Sequence, residues 1–193
     1  MSYVVAVPDA PAEDAALDGV LQAMVVGITG LDGSLVRPRW QPTLPQQPEP
    51  TVNWCAIGVL SATPDFSPWI THVSGPNVTD PSADLSVRYE TLDVLATFYG
   101  PNAKSYAGVL RDGLGIPQNN EPLNAADIYL IETMPQRRAP ELVNQQWINR
   151  WDLMIRFTRQ IQRVYAVPNI VLANIHIQND SDSLTETVYV PPL

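Results

Sequence analysis

The sequence predicts an α+β domain, built as a mainly antiparallel β-sheet with two main helices packed on it. Apolar residues recur at three- and four-residue spacing over residues 11–28 and 103–114, which is the pattern of an amphipathic helix. Apolar and polar residues alternate over residues 85–99 and 145–164, which is the pattern of a half-buried strand. Because the elements follow the order helix, strands, helix, strands, the α+β class fits best.

The first helix and the strands after it are bounded by turn-forming residues. A proline and two acidic residues suit the first turn of a helix over 11–28, and Gly30 is a natural end for it. Residues 51–61 are apolar and rich in β-formers, and residues 68–74 form a second run of this kind. The sequence therefore predicts two strands, followed by a turn cluster over 75–84.

The centre of the chain predicts a long strand followed directly by a helix. The alternating pattern of 85–99 stops at Gly100-Pro101-Asn102, three residues that break a strand. The apolar positions of 103–114 then form one stripe at helical spacing. Glycines at the end of this helix and Pro117 beyond it predict that the helix stops there.

The C-terminal half predicts three more strands. They cover residues 127–134, 145–164 and 170–178, and the middle one is much longer than a usual strand. Residues 179–193 begin with a polar bend and continue as an arm that could lie on a neighbouring molecule or on its own sheet edge.

The length of 193 residues suits a single domain over residues 1–193. The chain contains 19 prolines, and they are densest over residues 37–50. Proline lacks a backbone donor, so this run predicts an extended surface segment and not a central strand or helix interior. We expect Trp40 and Leu44 to order this segment by docking on another surface, since a pure linker has little use for Trp.

Charge is unevenly distributed along the chain, although the net charge is −9. Residues 1–36 and 164–193 contain acidic residues and no Lys or Arg, whereas residues 137–163 contain six arginines. In a monomer this is only an uneven surface; in an oligomer the acidic ends of one copy could meet the arginines of the next. Exposed tryptophans at turns and strand ends add candidate contacts. The candidate interface residues are Arg150, Arg156, Arg159, Arg163, Trp147, Trp40 and Trp69.

The sequence predicts no catalytic, metal or cofactor site. None of the common motifs for metal, nucleotide or nucleophile sites is present, and the two histidines, His72 and His176, lie in separate predicted strands. Cys55 sits in an apolar strand, which is typical of an inert core thiol. Glu90 and Asp93 fall on opposite strand faces and do not form an acid–base pair. We therefore expect neither an enzyme nor a bound cofactor.

The partners of the chain are also limited by composition. The acidic net charge argues against gripping a nucleic-acid backbone. No run approaches the roughly 18 apolar residues of a membrane span, so no membrane partner is expected. The N-terminus lacks the basic and apolar regions of a signal peptide, which predicts a soluble protein made in the cytoplasm.

Two stretches of the chain resemble the neck terminators and tail-completion proteins of tailed phages. The first is YETLDVLATFYGPNAKSYAGVLRDGL (89–114), a strand that ends in FYGPNA and a short amphipathic helix. The second is NRWDLMIRFTRQIQRVYAVPNIVLANIHI (149–177), a long late strand, a turn and a final strand. An N-terminal helix and the Pro-rich 37–50 segment before the first strand also agree, so the resemblance covers most of the chain.

The resemblance implies a structural virion protein, located in the tail or neck and assembled in the host cytoplasm. It implies a homo-oligomeric ring, usually a hexamer, that ends polymerisation of the tail tube or sheath and joins the tail to the neck or head-completion proteins. Genomic DNA would pass through the lumen without specific binding, because an acidic wall repels a polyanion. The alternatives are another virion role, in head completion, the collar or the baseplate, and a small hydrolase or ligand-binding module.

Overall fold

A computed structural model describes residues 3–6, 12–41, 46–73, 82–143, 145–167, 172–178 and 183–189, with the last two ranges described as backbone. The chain divides into two compact units. The sheet–helix unit comprises Pro11–Phe66 and Tyr89–Ile161, and the ribbon unit comprises Met1–Ala10, Ser67–Arg88 and Gln162–Leu193. The prediction of one domain over 1–193 stays a prediction.

The α+β class is confirmed, with mostly antiparallel strands and three helices in the described part of the chain. The helices are α1 (Asp14–Thr29), α2 (Ala103–Leu114) and α3 (Pro117–Asn124). The strands are β1 (Val36–Pro38), β2 (Trp54–Pro64), β3 (Trp69–Val73), β4 (Ser82–Tyr99), β5 (Ile128–Thr133), β6 (Arg137–Arg138), β7 (Glu141–Val143), β8 (Gln146–Ile148), β9 (Arg150–Val167), β10 (Leu172–Gln178) and β11 (Ser183–Tyr189).

The sheet of the sheet–helix unit has the strand order β1-β2-β4-β9-β5, and β6 also pairs with β9. β1 runs parallel to β2, whereas β4 is antiparallel to β2 and β5 is antiparallel to β9. The register places Trp54 opposite Tyr99 and Ile128 opposite Arg159. The two long strands, β4 and β9, are therefore the centre of the sheet.

The helices cover one face of this sheet and form the core with it. Every second residue points into the core over residues 92–98 of β4 and 153–157 of β9, as the alternating pattern predicts. α1 and α2 add residues at helical spacing. The buried apolar residues of these four elements are Leu17, Leu21, Met24, Val25, Leu92, Val94, Ala96, Phe98, Ala103, Ala107, Leu110, Leu114, Leu153, Ile155, Phe157 and Ile161.

The Gly100 turn connects β4 to α2 and explains the FYGPNA motif. Gly100 has φ +104°, and an added Cβ would lie 2.5 Å from the carbonyl oxygen of Val52, so only glycine fits without strain. Asn149 donates its side-chain amide to the Gly100 carbonyl at 3.0 Å. The side chain of Asn53 accepts from the backbone N–H of Asn102 at 2.8 Å, just before α2 begins. The turn is therefore fixed from two other parts of the chain.

The sequence pattern does not predict the third helix, α3, because a proline just beyond a helix is typical of the end of helical structure. Pro117 is instead the first residue of α3, a position where the missing N–H costs nothing. Asn119 and Asn120 donate side-chain hydrogen bonds of 2.9 Å to the carbonyls of Gly113 and Leu114. α3 thus satisfies carbonyl groups at the end of α2, which would otherwise lack partners.

The predicted strand over 145–164 is two strands separated at Asn149. β8 pairs with β7, with Trp147 opposite Leu142, while β9 continues as far as Val167. The backbone carbonyl of Asn149 accepts from the N–H of Gly100 at 3.1 Å. The interruption therefore places Asn149 where it holds the Gly100 turn, and Trp147 lies outside the long strand.

The ribbon unit consists of strand pairs without helices in its described part. β3 pairs antiparallel with the first half of β4, with Trp69 opposite Val87. The hydroxyl of Ser82 donates to the carbonyl of Val167 at 2.7 Å. The segment predicted as an arm contains β11, which pairs antiparallel with β10 of the same chain.

Candidate functional site

The seven predicted interface residues lie in different parts of the molecule. Trp69 and Arg163 belong to the ribbon unit. The sheet–helix unit contains the other five, which are Trp40, Trp147, Arg150, Arg156 and Arg159. Their surroundings divide them into buried, partly exposed and exposed side chains.

Arg159 is a buried guanidinium whose partners all belong to its own unit. Its side chain is 5% exposed. It donates through Nε to Glu90, through Nη1 to the carbonyl of Ala12 at 2.6 Å, and through Nη2 to Glu13 at 2.8 Å. Burial lowers the pKa of Arg159. The hydrogen bonds to Glu13 and Glu90 raise it by more than burial lowers it, so the pKa lies above its usual value. The three contacts connect β9 to β4 and to the start of α1.

Glu13 connects the start of α1 to Arg159 on β9. It occupies the N-cap position of α1, yet its side chain makes no capping hydrogen bond. The carboxylate instead accepts from Arg159, so the entry of α1 is held by an ion pair to the sheet. An arginine that a charge count assigns to a subunit interface is thus already used inside the chain.

Arg156 lies on the opposite face of β9, which the helices do not cover. It donates to Asp93 on β4 and to Glu132 on β5, both at 2.9 Å, and its side chain is 37% exposed. Asp93 also accepts from the hydroxyl of Ser61 on β2 at 3.1 Å. The hydrogen bond from Arg156 holds the pKa of Asp93 below its usual range. A polar ladder therefore crosses four neighbouring strands.

Arg150 lies on the same open face, beside a stacked aromatic pair. It binds Asp152 through two parallel hydrogen bonds of 2.9 Å and lies 3.4 Å from Glu141. The rings of Trp54 and Tyr99 stack with centroids 4.2 Å apart and planes 7° from parallel. The Arg150 guanidinium lies 5.9 Å from the centre of the Tyr99 ring. We call the sheet face that the helices do not cover the outer face. Its residues are Trp54, Asp93, Leu95, Thr97, Tyr99, Asp152, Met154 and Arg156.

A segment of the Pro-rich region crosses the outer face next to Gly58. A Cβ at Gly58 would lie 2.9 Å from the Cβ of Arg39, which is too close for any other residue to fit without movement. The backbone N–H of Arg39 donates to the carbonyl of Ile57 at 2.7 Å, and its Nη1 donates to the buried Thr97 hydroxyl at 2.9 Å. The guanidinium of Arg37 lies 6.0 Å from the centre of the Trp54 ring.

A cavity of about 410 Å³ opens between this segment and the outer face. Arg37 and Arg39 line it on one side, and the Trp54–Tyr99 pair and Glu141 line it on the others. A second cavity of about 390 Å³ lies farther along β4, beside Leu95, Arg137 and Arg156. The outer face therefore carries two concave regions lined by guanidinium groups.

A family model for phage neck terminator proteins matches residues 15–181. The chain belongs to the phage neck terminator family. It is a structural protein of the bacteriophage virion, located at the neck or tail, where it interacts with other phage head and tail proteins. No curated protein matches the chain significantly. The match includes both stretches on which the resemblance rested.

In this neck terminator protein the three predicted contact tryptophans are exposed. Trp40, Trp69 and Trp147 are 67%, 73% and 71% exposed, respectively. Trp54 and Trp151 are partly buried, and Trp151 packs against the core. The expectation that Trp40 anchors the Pro-rich segment by docking is wrong within this chain, since its side chain is mostly exposed, and Leu44 lies outside the described residues. Contact of the three tryptophans with another subunit stays a prediction.

Sequence reasoning missed the apolar surface around Trp69. All five residues of β3 are exposed, including Ile70 and Val73, although strands normally bury one face. His72 and Asp84 form a hydrogen bond of 2.7 Å across the same pair of strands. The alternation pattern alone could not reveal this, since it predicts a strand and not whether anything covers it.

The described residues of the neck terminator contain few groups suited to chemistry. No three His, Cys, Asp or Glu side chains in this part of the chain come together as metal ligands. Cys55 is fully buried in the core, and burial raises the pKa of its thiol, in agreement with the predicted inert cysteine. The side chain of His176 lies outside the described residues. Among the helices that are described, none is long and apolar enough to cross a bilayer.

Proposed function

We propose that this neck terminator forms a closed homo-oligomeric ring, usually of six subunits, at the head-proximal end of the tail. The ring ends polymerisation of the tail tube, and of a sheath where one exists, and joins the tail to the neck or head-completion proteins. Genomic DNA passes through its lumen. The family match carries the proposal, because a terminator acts where a repeating polymer stops and another ring begins.

The exposed tryptophans support a role in assembly. Three indole rings are 67–73% exposed, and tryptophan is enriched among the residues that dominate binding energy at interfaces. Trp40 and Trp147 lie in one unit and Trp69 in the other, so the chain offers contacts in more than one place. A ring subunit needs at least two contact surfaces, since each copy meets a neighbour on either side.

The arginines of β9 contribute unequally to the proposed interface. The guanidinium groups of Arg150 and Arg156 are partly exposed on the outer face. Arg163 lies in the ribbon unit. We keep these three as proposed interface residues. The role of Arg159 in the proposal is indirect, because its contacts to Glu13 and Glu90 position α1 against the sheet.

The net charge of −9 supports a lumen that DNA passes without binding. A protein that grips DNA neutralises phosphates with clustered Lys and Arg, whereas this chain contains one lysine. Repulsion between an acidic wall and the polyanion would keep the DNA mobile.

An amber codon in the gene of the phage tests termination directly. Without the protein, we expect tails of irregular, excessive length that are not joined to heads, seen by negative-stain electron microscopy of lysates. A suppressor host that restores the protein is the control. Tails of normal length on infective particles would contradict the proposed function.

Imaging of intact particles tests the location. Density at the head-proximal end of the tail, arranged as a ring, is the expected result. Density inside the head opening, in a collar or at the baseplate would instead assign another virion role.

A further inference from the structure

Two guanidinium groups at the outer face, those of Arg37 and Arg39, form no ion pair with a carboxylate among the described residues. Arg111, Arg150, Arg156 and Arg159 each form an ion pair with a carboxylate. Arg37 and Arg39, which line the 410 Å³ cavity, contact only backbone carbonyls, the Thr97 hydroxyl and aromatic rings within the described residues. In a chain of net charge −9, these two arginines therefore bring positive charge to the cavity without a carboxylate partner in the described part of the chain.

The stacked aromatic pair lies next to one of these two groups, Arg37, and next to Arg150. Because Trp54 and Tyr99 are only 4.2 Å apart, nothing fits between them, so Arg37 and Arg150 lie on the outer sides of the pair. The result is a four-layer stack of Arg37, Trp54, Tyr99 and Arg150. A nucleobase cannot enter between the two rings, and the guanidinium edges of Arg37 and Arg39 are the charged groups that the cavity offers to an anionic ligand.

Unmatched negative charge lies on the other side of the same unit, in the helix layer. Asp14 and Asp18 on α1 form no ion pair within the described residues, and they lie one helical turn apart. Partial burial and the nearby Asp14 raise the pKa of Asp18, as expected for carboxylates that lack a cation. Glu121 on α3 is a third acidic side chain of this layer without an ion pair in the described chain.

We propose that the Arg37–Arg39 cavity is a docking site for carboxylates of a second copy of the chain, namely Asp14 and Asp18 on its helix α1. The sheet face of one subunit then meets the helix layer of the next. Such a contact joins two different surfaces, which is the type that closes a ring. The inference rests on the proposed ring and names the surfaces that build it.

Carboxylates of a second copy fit the site better than DNA phosphates do. Planar guanidinium edges match carboxylates and phosphates alike in paired hydrogen bonds, so the neighbouring charge decides between them. Glu141 also lines the cavity, and a polyphosphate with many adjacent charges would approach this acid together with the arginines. Two separate carboxylates on a helix could be placed to meet only the arginines.

Charge reversal on each side tests the contact. Arg37→Glu with Arg39→Glu, and separately Asp14→Arg with Asp18→Arg, are each expected to raise the dissociation concentration of the assembly by about tenfold or more. The measurement is light scattering after size exclusion over a concentration series. Arg111→Glu, which changes an exposed helix residue, is the matched control and should assemble like the wild type.

A chain that carries all four reversals is expected to regain assembly, because every contact is again between opposite charges. Circular dichroism and the thermal midpoint show whether each variant folds. Asp18→Arg alone replaces the double change if loss of Asp14 at the helix start lowers the midpoint. Restored assembly supports the proposal, and a fourfold variant that folds but stays dissociated overturns it.

Three further outcomes distinguish failure of this contact from failure of the proposed ring. Sheet-face variants that assemble like the wild type overturn this contact while leaving the proposed ring intact. Variants that assemble normally but lose binding to a short DNA duplex, measured by fluorescence anisotropy, would assign the cavity to DNA instead. A wild-type chain that is monomeric in solution and absent from the tail end of virions overturns the proposed function, and the contact with it.

Discussion

The two halves of the long strands β4 and β9 lie in different surroundings. In the sheet–helix unit, residues 92–99 of β4 are mostly buried, and β9 alternates between buried and half-buried residues. In the ribbon unit, the two strands continue mostly as half-buried or exposed residues, with Ser82 as a buried exception. All five residues of β3, which pairs with β4, are exposed. A strand pattern therefore sets which residues share a face, but the helices decide whether that face becomes a core. Uncovered strands leave a surface for partners.

The largest expected contrast comes from matched truncations in the two units. Phe157→Ala removes a fully buried ring of the core and should lower the free energy of unfolding by about 3–5 kcal/mol. Ile70→Ala in β3 removes an exposed side chain and should change it by less than about 0.5 kcal/mol. Urea unfolding followed by circular dichroism measures both. Similar losses at the two sites would show that β3 is covered in the free chain.

A second contrast lies within β9, between its two faces. Arg159→Leu leaves Glu90 buried without its cation and should cost about 3–5 kcal/mol of unfolding free energy. Arg156→Leu, on the exposed ladder, should cost clearly less. Adding Glu90→Gln to Arg159→Leu should recover part of the loss, since no buried charge then remains. Equal costs for both arginines would contradict the difference in burial.

The Gly100 turn gives the next effect in size. Gly100→Ala forces a side chain into φ +104° and against the Val52 carbonyl, with an expected cost of about 1–3 kcal/mol. Gly19→Ala is the control, because it lies in α1 where an added Cβ meets nothing within 4 Å. That change should be neutral or stabilising, since alanine favours a helix. The thermal midpoints of both variants measure the difference.

The smallest effect concerns the pH dependence of the polar ladder. Arg156 lowers the pKa of Asp93 in the folded chain, so the pair stabilises the fold above the unfolded carboxyl value of about 3.9. This contribution is lost as the pH falls through the lower, folded value. The difference in unfolding free energy between the wild type and Asp93→Asn should therefore be present at pH 7 and shrink below about pH 4. A difference that stays constant with pH would argue against the ion pair.

Much of the fold was predictable because local patterns and packing agree. The helix over Ala103–Leu114 was placed correctly, since one apolar stripe and a glycine–proline turn bound it. The long strand before it was also found, with its core residues, from alternation alone. In contrast, α3 contains only one buried apolar side chain, Leu123. It therefore has no apolar stripe from which a helix could be predicted.

The candidate site was less predictable because charge counting ignores strand faces. Arg159 has the same parity along β9 as Ile155, Phe157 and Ile161, which marks it as a residue of the core face. Glu90 likewise shares the parity of Leu92 on β4. The positions of Arg159 and Glu90 on the core face could therefore be predicted from the sequence. The close approach of Arg39 to Gly58 could not be predicted, since it is a contact between two segments that no periodicity links.

Because Cys55 is buried, its reactivity reports how often the core of the protein opens. It is the single cysteine, and it lies beneath the helices with no exposed surface. A thiol reagent can react only with molecules in which this part of the core has transiently opened, so the labelling rate follows the population of the open form. Assembly into the proposed ring would lower that population, so labelling of the unmodified protein at rising concentration would report on assembly without any attached probe.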